Sequence, residues 1–284
     1  MFSLESSTLL EMTLADLLPV LEAKAQAGGC PLCERCDGQC AERARALLTP
    51  RANAWASRLV QGDPVALLAG LIDHTLLKAE ATPMQVETLC REARAHHFAS
   101  VCVNARFVPL CVRLLRGGGV PTCVVVGFPL GATSAYAKVE ETRQAVREGA
   151  REVDMVLAIG ELKAGNDRVV QEEIALVADA SHTGGALLKV IIETALLGDA
   201  EKVRACQASV VAGADFVKTS TGFSKAGATV YDVLLMRQTV GERVGVKAAG
   251  GIRTLAEALK MLVAGASRLG ASAGVQLLEE LRAR

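Results

Sequence analysis

The chain has 284 residues, 51% of them apolar and 22% charged, with 31 basic residues balancing 31 acidic ones. This is enough apolar material for a sizeable core, and zero net charge argues against a nucleic-acid partner while leaving room for a local basic pocket that holds one phosphate. No apolar run is long enough to span a bilayer, and the opening MFSLESSTLLEMTLADLL lacks a basic segment ahead of a continuous apolar stretch, so a cytoplasmic protein is expected.

Residues 1–61 are patterned as helix, interrupted at Gly28-Gly29 and at Pro50. Between these interruptions lie Cys30, Cys33, Cys36 and Cys40, in a C-x2-C-x2-C-x3-C run. The spacing matches a bacterial ferredoxin run, except that Ala41 stands where proline is usual and no second run exists. An iron–sulfur cluster, a zinc ion, free thiols or an oxidised pair all remain open for this extension, which lacks the long spacer usual between zinc-binding pairs. The other five cysteines, Cys90, Cys102, Cys111, Cys123 and Cys206, sit in apolar segments and read as reduced core thiols.

From residue 62 to 284 the pattern is regular. Short β-branched runs at 71–73, 100–103, 123–127, 152–158, 187–192, 215–219, 245–248 and 267–270 alternate with amphipathic stretches such as 84–96, 137–148 and 167–178. Eight strand–helix alternations predict a closed (β/α)8 TIM-type barrel with an N-terminal helical extension. A doubly wound open sheet is the alternative, weakened because no G-x-G-x-x-G turn follows the first strand.

Chemistry in such a barrel sits at the C-terminal ends of the strands. Those ends carry Asp73-His74, Cys102 and Asn104, Asp154, Lys189 and Glu193, Lys218 through Thr221, and Lys247. Three lysines within apolar strands are the anomaly, because desolvating an ammonium is costly. A lysine must be neutral to attack a carbonyl, and burial beside a second ammonium lowers its pKa. Lys189 and Lys218 fall on consecutive predicted strands, with Asp154 on the strand before, placed to move protons. Lys247 either pairs with a strand carboxylate or sets the charge around Lys189. His74 is expected to anchor the first strand, and His96-His97 to complement a helix end.

Small residues cluster after the last three strands: Gly222, then Gly250-Gly251, then Gly270-Ala271-Ser272 opening the final helix. Glycines let backbone N–H groups approach anionic oxygens, and a helix N-terminus adds a favourable dipole, so these positions predict a phosphate site. Thr219 and Thr221 either satisfy backbone groups or touch substrate.

The strings IDHTLLK (72–78), FASVCVN (98–104), VVGFPLGA (125–132), EVDMV (152–156), LKVIIET (188–194), DFVKTSTGF (215–223) and VKAAGGIRT (246–254) resemble, in order, those of deoxyribose-phosphate aldolases. The resemblance implies a class I, Schiff-base aldolase acting in deoxyribonucleoside catabolism. Its reaction is the reversible cleavage of 2-deoxy-D-ribose 5-phosphate to glyceraldehyde 3-phosphate and acetaldehyde, with no cofactor required. It further implies Lys189 as the Schiff-base former, Lys218 as its pKa perturber, Asp154 in proton relay with a bound water, Cys102 as a pocket residue, and a homodimer or larger assembly. Ala79 and Ala105 stand where proline is common in the family, and the ending Leu281-Arg-Ala-Arg284 lacks the terminal tyrosine of some longer members. Two other readings remain open: a lysine aldolase for another sugar or keto-acid phosphate, and a metal-cluster sensor on a retired barrel.

Overall fold

Alternation along each strand divides the sheet into two unlike faces. In β4 (Glu152–Val156) and β5 (Leu187–Ile191), Val153, Met155, Leu188 and Val190 face the surrounding helices, fully buried, while Glu152, Asp154 and Lys189 face the opposite way. The computed structural model describes residues 5–26 and 39–283. The other strands are β1 (Ile72–Leu76), β2 (Ser100–Val103), β3 (Thr122–Val126), β6 (Phe216–Lys218), β7 (Gly245–Ala249) and β8 (Arg268–Ala271). All eight pair in parallel and in chain order, and β8 closes back onto β1 through Ile72 opposite Leu269. Closure rules out the open-sheet alternative.

The helices that precede the barrel are α1 (Ser6–Gln26), α2 (Cys40–Gln61) and α3 (Pro64–Ala69). Those threaded between the strands are α4 (Pro83–His96), α5 (Val108–Leu115), α6 (Ala135–Arg147), α7 (Ile159–Lys163), α8 (Asp167–Thr183), α9 (Asp199–Val211), α10 (Val230–Val240) and α11 (Leu255–Ala264), with α12 (Gly274–Arg282) last. Local chemistry explains where several begin. Thr82 and Gln85 form a reciprocal capping box at α4, and Thr254 and Glu257 form another at α11. α4 ends with His97 in the left-handed conformation (φ 55°), in keeping with the helix end expected at His96-His97.

Pro50 does not interrupt the extension as its residue type suggested. α2 runs through it, because Ala44, Leu48, Ala52, Trp55 and Leu59 keep one buried face on both sides of the lost N–H. α1 and α2 lie against α10 and α11, and Leu9, Leu14, Leu17 and Leu48 join the same apolar core as the barrel helices. Polar contacts fix the seam: Trp55 Nε1 donates to the Leu262 carbonyl at 3.1 Å, and Lys260 pairs with Asp16 at 2.9 Å. Among the described residues no helix is long and apolar enough to cross a membrane.

Candidate active site

The barrel interior, usually filled with branched aliphatics, is here largely ionic. Asp154 accepts from three lysines at once: Lys189 Nζ at 2.7 Å on Oδ1, and Lys218 and Lys247 Nζ, each at 2.7 Å, on Oδ2. Lys189 also pairs with Glu152 at 2.7 Å and with Asp73 at 3.6 Å. Lys247 pairs with Asp73 at 2.5 Å, and Arg268 reaches Asp73 at 2.6 Å and Glu152 at 3.2 Å. Four cationic side chains therefore face three carboxylates, and loss of one proton leaves the charges balanced.

Burial raises the pKa of Asp154, but Lys189, Lys218 and Lys247 outweigh it and hold the carboxyl well below the usual range. Asp73 is likewise held low: burial opposes ionisation, and Lys247, Lys189 and Arg268 override it. The expectation that burial beside another ammonium would make Lys189 neutral is not met. Burial does work against its charge, yet Asp154, Asp73 and Glu152 together hold its pKa well above the normal lysine value. Lys247 is raised in the same way by Asp154 and Asp73 against its burial, settling its role as a partner of strand carboxylates.

The register separates the two candidate lysines. Lys189 lies opposite Phe216 on β6, whereas Lys218 lies opposite Ile191. Because neighbouring strands of a closed barrel are staggered, this puts Lys218 about one layer, roughly 3 Å, nearer the C-terminal mouth, and both amines reach Asp154 at 2.7 Å. Above it opens a cavity of about 340 Å3 whose lining includes Lys218 but neither Lys189 nor Asp154. Lys189 is enclosed in the ionic layer beneath.

The residues expected at the phosphate come together around this cavity. Thr221, Gly222, Gly250, Gly251, Gly270 and Ser272 all line it. The loops after β6 and β7 touch through glycine: a Cβ on Gly227 would fall 2.1 Å from the Gly250 carbonyl oxygen, so no larger residue fits. Gly270 is similarly constrained, since an added Cβ would meet Ala249 at 2.9 Å and Lys247 Cε at 3.1 Å. Two cations that the sequence reading passed over, Lys78 and Arg253, complete the lining and supply positive charge.

Other expected residues have packing or backbone partners. Thr219 is fully buried and ties β6 to β7 through the Ala249 carbonyl and N–H, both at 3.1 Å, which is the backbone-satisfying alternative. Thr221 lines the cavity but donates its hydroxyl to Glu193 Oε2 at 2.5 Å. Cys102 packs beside Cys123 under the mouth, in a small cluster with Leu77 and Val125. Cys123 donates its thiol to Asp154 Oδ1 at 3.2 Å, and burial pushes its pKa well up, so it stays a neutral donor. His74 anchors β1 as expected, 2.7 Å from Glu92. Cys30, Cys33 and Cys36 lie outside the described residues, and Cys40 is buried at the start of α2.

Glu152 and Arg268 were not singled out from sequence, and Asp73 was named only as a strand-end residue without a role. The signal for Glu152 was present, because it sits two positions before Asp154 and so shares its inward face. Arg268 was hidden by attention to Gly270 on the same strand.

A parallel (β/α)8 barrel with a lysine amine at the mouth, a carboxylate on that amine and a glycine-lined cationic end defines the class of Schiff-base sugar-phosphate lyases. The comparisons with known proteins agree with that class. The family model described as DeoC/LacD family aldolase matches residues 67–280, and the chain belongs to that family. It is 56% identical over 207 residues to a deoxyribose-phosphate aldolase of Streptococcus uberis, covering 73% of this chain and 93% of the relative. It is 57% identical over 209 residues to one of Clostridium tetani, covering 74% and 96%. The tetrameric deoxyribose phosphate aldolase structure of Aeropyrum pernix superposes with a TM-score of 0.75 at 31% identity, covering 84% of this chain and 98% of that one.

Proposed function

We propose that this chain cleaves 2-deoxy-D-ribose 5-phosphate reversibly to glyceraldehyde 3-phosphate and acetaldehyde, through a Schiff base on Lys189 with Lys218 as the neighbouring ammonium. One observation carries the reading: the two amines converge on Asp154, each at 2.7 Å, at the floor of a cavity lined by Lys218 and the glycine-rich turns.

Attack requires Lys189 to give up the proton that its carboxylate partners otherwise hold, and charge balance favours this: four cations face three carboxylates, so the layer is neutral once one lysine is. The amine then adds to the aldehyde carbon of the open-chain sugar, and water leaves to give the iminium. A base removes the proton of the C3 hydroxyl, the C2–C3 bond breaks, and its electron pair moves onto the iminium as an enamine. Glyceraldehyde 3-phosphate departs; protonation of the enamine carbon and hydrolysis then release acetaldehyde and restore the amine. Lys218 and Lys247, bonded to the other Asp154 oxygen, hold that carboxylate in place beside the reacting amine. Every step uses side-chain acids, bases and the amine, so no cofactor enters. At the other end of the cavity the phosphate meets the glycine-rich turns after β6, β7 and β8, with Arg253 and Lys78 as counter-charges.

The same reading treats 1–61 as an extension added to an aldolase barrel at 62–284, and the working form as a cytoplasmic dimer or larger assembly. Similarity to a relative described as tetrameric supports assembly, and size-exclusion chromatography with light scattering tests it. The activity itself is tested by incubating the protein with the sugar phosphate and following acetaldehyde release by NMR. Release of acetaldehyde is the expected result; turnover with ketone donors in preference to acetaldehyde would assign a different aldolase.

A further inference from the structure

Glu193 has no place in the steps above, yet it is buried near the cavity with a strained backbone. It follows β5 directly and adopts φ 54° and ψ 66°, the left-handed region that an ordinary side chain enters at a cost. Its side chain is buried, 1% exposed, and turns toward the loop after β6. There Oε2 accepts from both the hydroxyl of Thr221, at 2.5 Å, and its backbone N–H, at 3.2 Å. Thr221 Oγ1 in turn accepts from the N–H of Phe223 at 3.1 Å. The other oxygen, Oε1, is buried with no hydrogen-bond partner among the described residues. A strained backbone and an incompletely paired buried carboxylate persist only where the surrounding structure compensates for both.

The turn that this carboxylate holds is Thr221-Gly222-Phe223, all three of which line the cavity. Gly222 itself has φ 85° and abuts Gly250 of the next loop. Displacing Thr221 therefore moves two of the small-residue turns at the phosphate end together. Lys218 is buffered from such a shift, since its carbonyl is fixed by Ile192 N–H at 3.0 Å and its amine by Asp154.

We propose that Glu193 is a positioning residue for the phosphate end of the cavity: it clamps Thr221 so that the turn at Gly222 presents its backbone to the phosphate. The inference rests on the phosphate reading given above. Loss of a charge-assisted, buried hydrogen-bond pair in Glu193→Ala is expected to raise KM for 2-deoxyribose 5-phosphate on the order of tenfold, with kcat changed less than about threefold. Glu193→Gln keeps an acceptor oxygen for Thr221 and is expected to recover most of the lost affinity.

The discriminating readout is the preference for 2-deoxyribose 5-phosphate over 2-deoxyribose, measured as the ratio of kcat/KM values. A collapse of that ratio in Glu193→Ala supports the clamp. An equal loss on both sugars, or an unchanged KM, overturns it. If Glu193→Ala does not fold, Thr221→Val removes the same bond from its other end, and a KM within twofold of wild type there overturns the proposal. A wild-type enzyme indifferent to the phosphate overturns the phosphate reading and this inference together; a wild-type preference that survives in the variants overturns this inference alone.

Discussion

Replacing Lys189 by methionine tests how far the ionic layer that surrounds the reacting amine stabilises the barrel. The change removes the ammonium that bridges Asp154, Glu152 and Asp73 but keeps an unbranched chain of similar length. The three carboxylates are not orphaned. Asp154 retains Lys218 and Lys247, Asp73 retains Lys247 and Arg268, and Glu152 retains Arg268. The cost therefore falls near the low end of the range for breaking a buried ion pair, about 3 kcal/mol. For a domain of this size that lowers the midpoint of thermal unfolding by roughly 6–12 °C. Lys218→Met gives up a single ionic contact at the cavity edge, so its midpoint is expected to move by no more than about a third as much. Differential scanning calorimetry of the two variants reads this directly. A Lys189→Met protein that melts within about 2 °C of wild type, or a Lys218→Met protein that melts lower than it, refutes the reading of Lys189 as the hub of the ionic layer.

Asp154→Asn takes the shared carboxylate from three lysines, including the reacting amine and its neighbour, and kcat is expected to fall about 10²–10⁴-fold in a steady-state assay. Stability against pH follows from the shifts. Asp73 and Asp154, with lowered folded pKa values, contribute above the unfolded value near pH ~4, and the contribution is lost as pH falls below it. Lys189 and Lys247, with raised values, contribute below about pH 10 and lose that contribution only as pH rises through their folded pKa values. Burial holds His74 below its usual value, so stability also slips gently as pH drops through about 6.5, where the unfolded chain takes the proton first. Urea midpoints should thus be flat from about pH 7 to 10, and a steady decline across that window contradicts the ion network. Trp55→Ala removes a largely buried indole and its bond to Leu262, costing about 3–5 kcal/mol, with faster hydrogen exchange in α1 and α2 and no loss of turnover.

The barrel was legible because its strands announce themselves twice, as β-branched runs and as the places where polar residues interrupt them. Lys189, Lys218 and Asp154 could be named from sequence for the same reason, and the structure brings all three together. The depth of each lysine was partly legible. Lys189 is followed by Val190-Ile191-Ile192 and so sits mid-strand, whereas Lys218 is followed at once by Thr219-Ser220-Thr221, and the register of β5 against β6 places Lys218 nearer the mouth. The sequence could not weigh how many carboxylates surround each amine: Glu152 and Asp73 come from strands far apart in the chain, and their convergence on Lys189 reverses the expected sign of its pKa shift. Glu193 was visible as a strand-end residue, but its left-handed backbone and its grip on Thr221 depend on the fold. Pro50 shows tertiary packing overriding a local breaker signal.

The central claim is that Lys189 carries the Schiff base, with Lys218 and Asp154 beside it. Borohydride reduction in the presence of acetaldehyde, followed by peptide mass mapping, tests this most directly. The reduced ethyl adduct is expected on the peptide containing Lys189 and to vanish in Lys189→Met. An adduct that maps to Lys218 and persists in Lys189→Met contradicts the account.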